Sequence, residues 1–395
     1  MGRGGAGHPE RRLRTHLWLP VHGLRGRPSK GGGDSPHRVG TSQRPRGRAA
    51  ASGRRLRGDR GRSALEDALR AACCRAGAGA RARVTHEIHY GKADVKVYRT
   101  YGVPLRGVTP IPESAFSGRD NLLMGAEIGV TVRGDAFWDA YTKGDNRQVV
   151  ATDTMKNFIQ SASLVCGAPT LEGWLHEIGR AFLETYPQME SIGISGHELP
   201  FPPALVPGDE PGSFAMSEVL FSRERCDASY ATLDLVRTKR GDAVGTEIAD
   251  LECGRAALQL VKITGSSFAD FARDEHTTLP ERPDRPLYIW CDVGWRYADP
   301  RDALGDDPAR YVAGEQVADL AGAVFHEFVS LSIQHLVHEI GQRMLKRWPQ
   351  LSEVSFEAQN RLWDLAAEAA DRHEVKVYAD PRPPFGRIGL RLRRE

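Results

Sequence analysis

His176 to Gln188 reads HEIGRAFLETYPQ and His338 to Gln350 reads HEIGQRMLKRWPQ, an offset of 162 residues with seven identities in thirteen positions. Several mismatches keep their character: Phe182 falls on Met344, Tyr186 on Trp348 and, just beyond, Met189 on Leu351. A repeat of this length at a fixed offset implies two copies of one domain. In each copy an amphipathic helix runs up to a proline, which cannot continue it, and a β-branched segment follows, Glu190 to Ser195 (ESIGIS) and Glu353 to Phe356 (EVSF). Each copy therefore holds a helix followed by a strand.

Upstream of the first repeated helix, Val84 to Tyr101 and Leu122 to Val132 alternate as strands do, and Ala151 to Val165 has helical spacing with Thr152 and Asp153 suited to its first turn. The second copy is read as opening with strand-like Ala231 to Val236 and Ala256 to Thr264. A loop rich in turn residues, a strand at Leu287 to Cys291 and helices from Gln316 to Trp348 follow. Two strands, helices and further strands, twice over, predict an α+β fold with antiparallel sheet covered by helices on one face. The boundaries expected are an arm at 1–83, a first domain at 84–228 and a second at 229–395.

The 395 residues carry 54 Lys+Arg and 51 Asp+Glu, but this near-balance averages two unlike parts. Residues 1–83 hold 20 basic and 5 acidic side chains, net +15, which leaves 34 and 46, net −12, for the remainder. An acidic body disfavours nucleic-acid binding by the body itself. The arm, with 16 glycines and repeated arginines, cannot bury enough surface to offset chain entropy and reads as disordered, apart from a short helix at Ser63 to Cys74. At most it contacts nucleic acid weakly through phosphates.

No run approaches the roughly 18 apolar residues of a membrane span, and neither a Sec-type h-region nor an apolar segment behind Arg11 and Arg12 is present. The six cysteines, Cys73, Cys74, Cys166, Cys226, Cys253 and Cys291, contain no C-x-x-C pair, and a reducing cytoplasm is the expectation. His176 and His338 stand in HEIG rather than H-E-x-x-H, and the pair His335 and His338 lacks a third ligand, so no metal is expected.

The body, from residue 84 to about 390, resembles urate oxidase, a cofactor-independent oxidase of tandem tunnelling-fold domains. The resemblance rests on Tyr90-Gly91-Lys92-Ala93-Asp94-Val95, on Val150 through Asn157 (VATDTMKN), on Phe268 and Arg273 through Leu279 (RDEHTTL), on Asp284-Arg285 and on Ser332-Ile333-Gln334. It implies a homotetramer whose sheets join into a barrel with active sites at subunit interfaces. It also implies urate and dioxygen as reactants, and no cofactor.

The resemblance places the chemistry residue by residue. Lys92 is the catalytic base; an ammonium with a free pKa of about 10.4 serves as a base near neutrality only if burial or positive neighbours lower that value. Thr152 passes protons, since a hydroxyl both donates and accepts, and Asp153 lies beside the substrate. Arg285 and Gln334 clamp the edges of a planar purine trione, a rigid fork of donors and an amide reading two sides of one flat anion. Phe268 stacks on the ring, and Ile333 and Leu279 line the pocket. Asn360 holds dioxygen or water above the ring with Thr152. Two residues on, where many relatives carry a relay histidine, stands Leu362, which cannot carry a proton.

Read without the resemblance, Lys92 suits a solvated surface position, Thr152 and Asp153 a helix cap, Phe268 a core aromatic and Arg285 a surface ion pair with Asp284. Two further readings keep the fold and change the activity. One is an enzyme of the same fold acting on a pterin or related purine; the other is a purine-binding protein without turnover, motivated by Leu362.

Overall fold

The computed structural model describes residues 85–223, 226–240 and 243–395. The Gly/Arg-rich arm and its Ser63 to Cys74 helix lie outside the described residues. Eight strands form one antiparallel sheet in strict sequence order: β1 (His89–Thr100), β2 (Leu123–Arg133), β3 (Ser191–Glu198), β4 (Ala228–Arg240), β5 (Ala243–Lys262), β6 (Leu287–Tyr297), β7 (Leu351–Asn360) and β8 (Gly386–Arg393). Helices α1 (Thr152–Val165) and α2 (Leu171–Thr185) lie between β2 and β3, and α3 (Gly314–Glu327) and α4 (Ile333–Arg347) between β6 and β7.

The 162-residue offset of the HEIG segments holds for both helix pairs: 152 and 165 plus 162 give 314 and 327, and 171 and 185 plus 162 give 333 and 347. The capping is repeated too. Thr170 accepts from the Gly173 amide at 3.1 Å to start α2, and Ser332 accepts from the His335 amide at 3.0 Å to start α4. Leu175, Ile178 and Phe182 are buried at the spacing of Val337, Ile340 and Met344.

The glycine of HEIG has a physical reason in both copies. A Cβ on Gly179 would stand 2.5 Å from the Leu235 side chain of β4, and one on Gly341 would stand 2.8 Å from Leu392 of β8. The repeated motif therefore lets each helix lie close against its sheet.

Along β2, Ala126, Ile128, Val130 and Val132 are buried, while Glu127, Gly129 and Thr131 alternate onto the other face. On β6, Ile289, Cys291, Val293 and Trp295 belong to the same core. The apolar face lies under the helices, and the opposite face carries cross-strand pairs such as Arg133–Asp234 at 3.0 Å and Arg296–Glu252 at 2.7 Å.

Ala231 to Val236, read from the sequence as opening the second copy, lies within β4, the strand that completes the first ββααββ run. The β1–β2 ladder recurs as β5–β6 one residue further on, at an offset of 163: Lys92–Val130 and Val95–Ile128 correspond to Arg255–Val293 and Leu258–Cys291, so the second run begins in β5. No helix among the described residues is long and apolar enough to cross a membrane.

Candidate active site

Near its start β1 carries one more residue than β2: Lys92 pairs with Val130 and Val95 with Ile128, and Asp94 takes a φ of 57°. Such a bulge re-aims a side chain. Gly91 is pressed against β2 so tightly that a Cβ would lie 1.8 Å from the Val130 carbonyl oxygen. The half-buried Lys92 lines a depression of about 390 Å³ on the open sheet face, with Thr131, Arg133, Ser195 and Asp234.

The adjacent Tyr90 hydroxyl accepts a 2.9 Å hydrogen bond from the Val150 amide, which ties the YGKAD stretch to VATDT. Burial pushes the Tyr90 hydroxyl above its ordinary pKa. Sequence reading missed this tie; the tyrosine inside YGK was the available signal.

Thr152 and Asp153 open α1, and both are exposed. The helix is capped at Ala151 without a side-chain bond, so neither residue serves as the cap. The Asp153 carboxylate takes Lys156 at 2.7 Å and is held below its ordinary pKa by that bond and charge first, with a smaller contribution from Lys92. Lys92 and the start of α1 therefore form one group.

A second group forms in the loop after β5. Ser266 and Ser330 are both fully buried and hydrogen-bonded through their hydroxyls at 3.0 Å, and the Ser267 amide donates to the Ser330 carbonyl at 2.8 Å. This closure fastens the loop just before the N-terminus of α4, where Ile333 is buried and Gln334 exposed. Phe268 exchanges backbone hydrogen bonds with Arg282 at 2.8 and 2.9 Å and stacks on Phe271, with ring centroids 4.9 Å apart. Leu279 is exposed on the same loop.

Arg285 is neither a surface residue nor the ion-pair partner of Asp284. The Asp284 carboxylate turns back to the Thr264 hydroxyl and the Gly265 amide, each at 2.7 Å, and these bonds hold it below its usual pKa. Arg285 is 8% exposed, its guanidinium stands over the Phe268 ring at 5.3 Å, and its Nε is buried without a hydrogen-bond partner. Burial first, then the charge of Arg282, lowers its pKa. A desolvated cation without a counterion is costly unless an anion completes it.

Asn360 is the last residue of β7, between Ile289 of β6 and Gly386 of β8, and its Oδ1 is also buried and unpartnered. The next residue, Arg361, which sequence reading passed over, fastens this strand end. Its guanidinium lies 3.7 Å from the Trp290 ring centroid and 4.4 Å from that of Phe385, and it donates to Gln359 at 2.9 Å. Leu362 is half-buried. His335 packs edge-on to Phe328 and His338 pairs with Glu339.

Among the described residues no hydrogen bond, ion pair or ring contact joins the Lys92 group to the Arg285 group, and three strands separate β1 from β5. A deeper apolar cleft of about 420 Å³ contains none of the candidate residues.

A family model described as uricase matches residues 251–389. A uricase of Haloferax volcanii is 46% identical over 299 residues, covering 76% of this chain and 96% of that protein. The "Uric acid degradation bifunctional protein" of Bacillus sp. TB-90 is 45% identical over 299 residues, and the matched part spans 59% of its length. The crystal structure of Bacillus sp. TB-90 urate oxidase superposes with a TM-score of 0.74 at 44% identity, covering 78% of this chain and all of that one.

Proposed function

The chain belongs to the uricase family, and from that premise we propose that it oxidises urate with dioxygen and water to 5-hydroxyisourate and hydrogen peroxide. The observation that carries the reading is Arg285, a buried guanidinium without a counterion among the described residues, held beside the face of Phe268. A flat anion stacked on that ring would supply the missing charge. Gln334 at the start of α4 would read a second edge, with Ile333 as wall.

Lys92 and Thr152 would take the proton that makes the ring electron-rich, with Asp153 beside them. The Thr152 hydroxyl is not consumed by capping, which leaves it free for this exchange. Asn360, whose Oδ1 has no partner, would hold dioxygen or water over the ring with Thr152. Urate supplies two electrons to dioxygen, and water delivers the hydroxyl to the ring. With Leu362 at the relay position, the proton path runs through Thr152 and water.

The two residue groups are separate within one chain, and the proposal joins them between neighbouring subunits of a homotetramer. The chain itself supports such a meeting. Applying the 162-residue offset, Asp153 corresponds to Glu315 and Asn360 to Glu198. Arg119 bridges that corresponding pair, at 3.0 Å to Glu315 and 2.8 Å to Glu198. The same contact made between two chains would set Asp153 against Asn360. The free edges β1 and β8 suit closure of the sheets into a barrel. The two copies would divide between β4 and β5 rather than at residue 228. A cytoplasmic setting fits the free Cys166, Cys253 and Cys291, all buried.

The test is incubation of the full chain with urate in air and under argon, without added metal or flavin, following urate loss and peroxide. Oxygen-dependent loss with matching peroxide supports the proposal. Tight urate binding without turnover would replace it with a purine-binding protein, and neither binding nor turnover would remove both.

A further inference from the structure

The apolar cleft of about 420 Å³ has a place in the duplication. Its lining includes Leu122, Leu171 and Glu198 from the first copy and Arg255 and Glu315 from the second. The offset of 162 carries Leu171 and Glu198 to Ile333 and Asn360 and Glu315 to Asp153, while the strand register, which repeats at 163, sets Leu122 on Arg285 and Arg255 on Lys92. The cleft is therefore the internal counterpart of the pocket assigned above to urate, formed between the two copies of one chain.

Its chemistry has been rebuilt. Leu122 stands where Arg285 would clamp an anion, Glu172 replaces Gln334, Arg255 replaces Lys92 and Gly314 replaces Thr152. The hydroxyl and the anion clamp are absent, a guanidinium that does not give up its proton stands in place of the base, and the charges that remain are spent on one another. Arg119 pairs with Glu198 and Glu315, and Arg255 with Asp227 at 2.7 Å. Three carboxylates against two guanidinium groups leave the surroundings unfavourable to an anion such as urate.

The Arg119–Glu315 pair lines the cleft with 22% and 23% of its side-chain surfaces exposed, so it presents a donor and an acceptor side by side. Phe116, Trp174 and Phe201 supply aromatic walls. The volume falls within the roughly 300–1,000 Å³ of small-molecule sites, which combine apolar walls with a few converging polar groups.

We propose that this cleft is a second, non-catalytic site that takes an uncharged planar purine lactam. Its ring N–H donates to Glu315 and its carbonyl accepts from Arg119. The choice of a purine-sized ring rests on the urate reading, whereas the cleft and its charge pattern do not.

The probe is hypoxanthine, an uncharged purine lactam, titrated calorimetrically into the full chain, into Arg285→Ala and into Met216→Trp. Met216 lines the cleft and is 65% exposed, so a larger side chain there fills the mouth without entering the core. The expected result is one hypoxanthine per chain, unaffected by Arg285→Ala, not displaced by urate under argon, and weakened at least about tenfold by Met216→Trp. Absence of binding, or binding that Arg285→Ala removes and urate displaces, would overturn the proposal. A chain that takes hypoxanthine in this pattern but neither binds nor oxidises urate would sink the urate reading and leave the cleft standing.

Discussion

Arg285→Met should make the protein more stable and less able to bind its substrate. Arg285 is 8% exposed, has no carboxylate partner among the described residues and leaves Nε without a hydrogen bond. An unsatisfied buried polar group costs about 1–3 kcal/mol, and the Phe268 ring returns about 0.5–1 kcal/mol through the cation–π contact. The net cost in the free protein is thus at most about 2.5 kcal/mol, which a methionine of similar length removes. Domains of about 150–250 residues gain roughly 2–4 °C in Tm per kcal/mol, so a rise of up to about 5 °C is expected for this longer body. Binding should move the other way. Each charge-assisted hydrogen bond is worth about 1.5–3 kcal/mol, and two of them amount to at least about a hundredfold in urate affinity. Calorimetric melting with and without urate under argon measures both: urate should raise the Tm of the wild type and leave that of the variant unmoved. A variant that melts several degrees lower would show that the guanidinium is a structural pair, and the argument from its missing counterion would fall.

Further expectations follow from individual residues. Lys92→Ala should remove turnover and spare urate affinity, and co-expression of Lys92→Ala with Arg285→Ala should restore activity if each site draws on two subunits; mixed oligomers as inactive as either parent would refute the shared site. Gly91→Ala would put a Cβ 1.8 Å from the Val130 carbonyl, so β1 should lift from β2 and turnover fall by more than about tenfold with a lowered melting temperature; an active, stable variant counts against the bulge. Burial pushes Glu172 up to about 7 from an ordinary 4.5. The folded state therefore favours the neutral acid, and stability present below about pH 4.5 should be lost as pH rises to about 7, by up to about 3 kcal/mol. Urea titrations of Glu172→Gln and wild type should diverge across that window, and parallel curves would show the carboxyl to be ionised throughout.

The duplication was legible because it is written in local chemistry: a capping hydroxyl, a glycine against the sheet, three apolar positions at helical spacing and a proline beyond. Each element depends on residues within one or two turns, so reading along the chain suffices. The start of α1 was legible as a helix start but not as an uncapped one, since Thr152 and Asp153 look like caps and only the backbone shows Ala151 in that place. Strand β5 was half-read. Its alternation breaks at Ala257, which takes a φ of 59° opposite the register shift between Cys291 and Val293. A bulge exchanges the two faces, and the period of two runs out of phase across it. The closure of the Phe268 loop was not legible at all, because Ser266 and Ser330 stand 64 residues apart and nothing near either serine names its partner.

The two copies show why buried charge can serve permanence in one place and binding in another. At the internal seam, Arg119 meets two carboxylates and Arg255 meets Asp227, so each desolvated cation carries its compensation within the chain. Removing one partner there would strand a buried charge, at about 3–5 kcal/mol, which keeps the seam closed. In the second copy, position 285 keeps an arginine where position 122 has leucine, and position 360 an amide where position 198 has a carboxylate. The exchange removes the internal counterions and leaves Arg285 Nε and Asn360 Oδ1 unmatched. One ancestral surface, copied twice, thus has its charges paired from within in one copy. In the other, satisfaction waits for something that arrives from outside the chain.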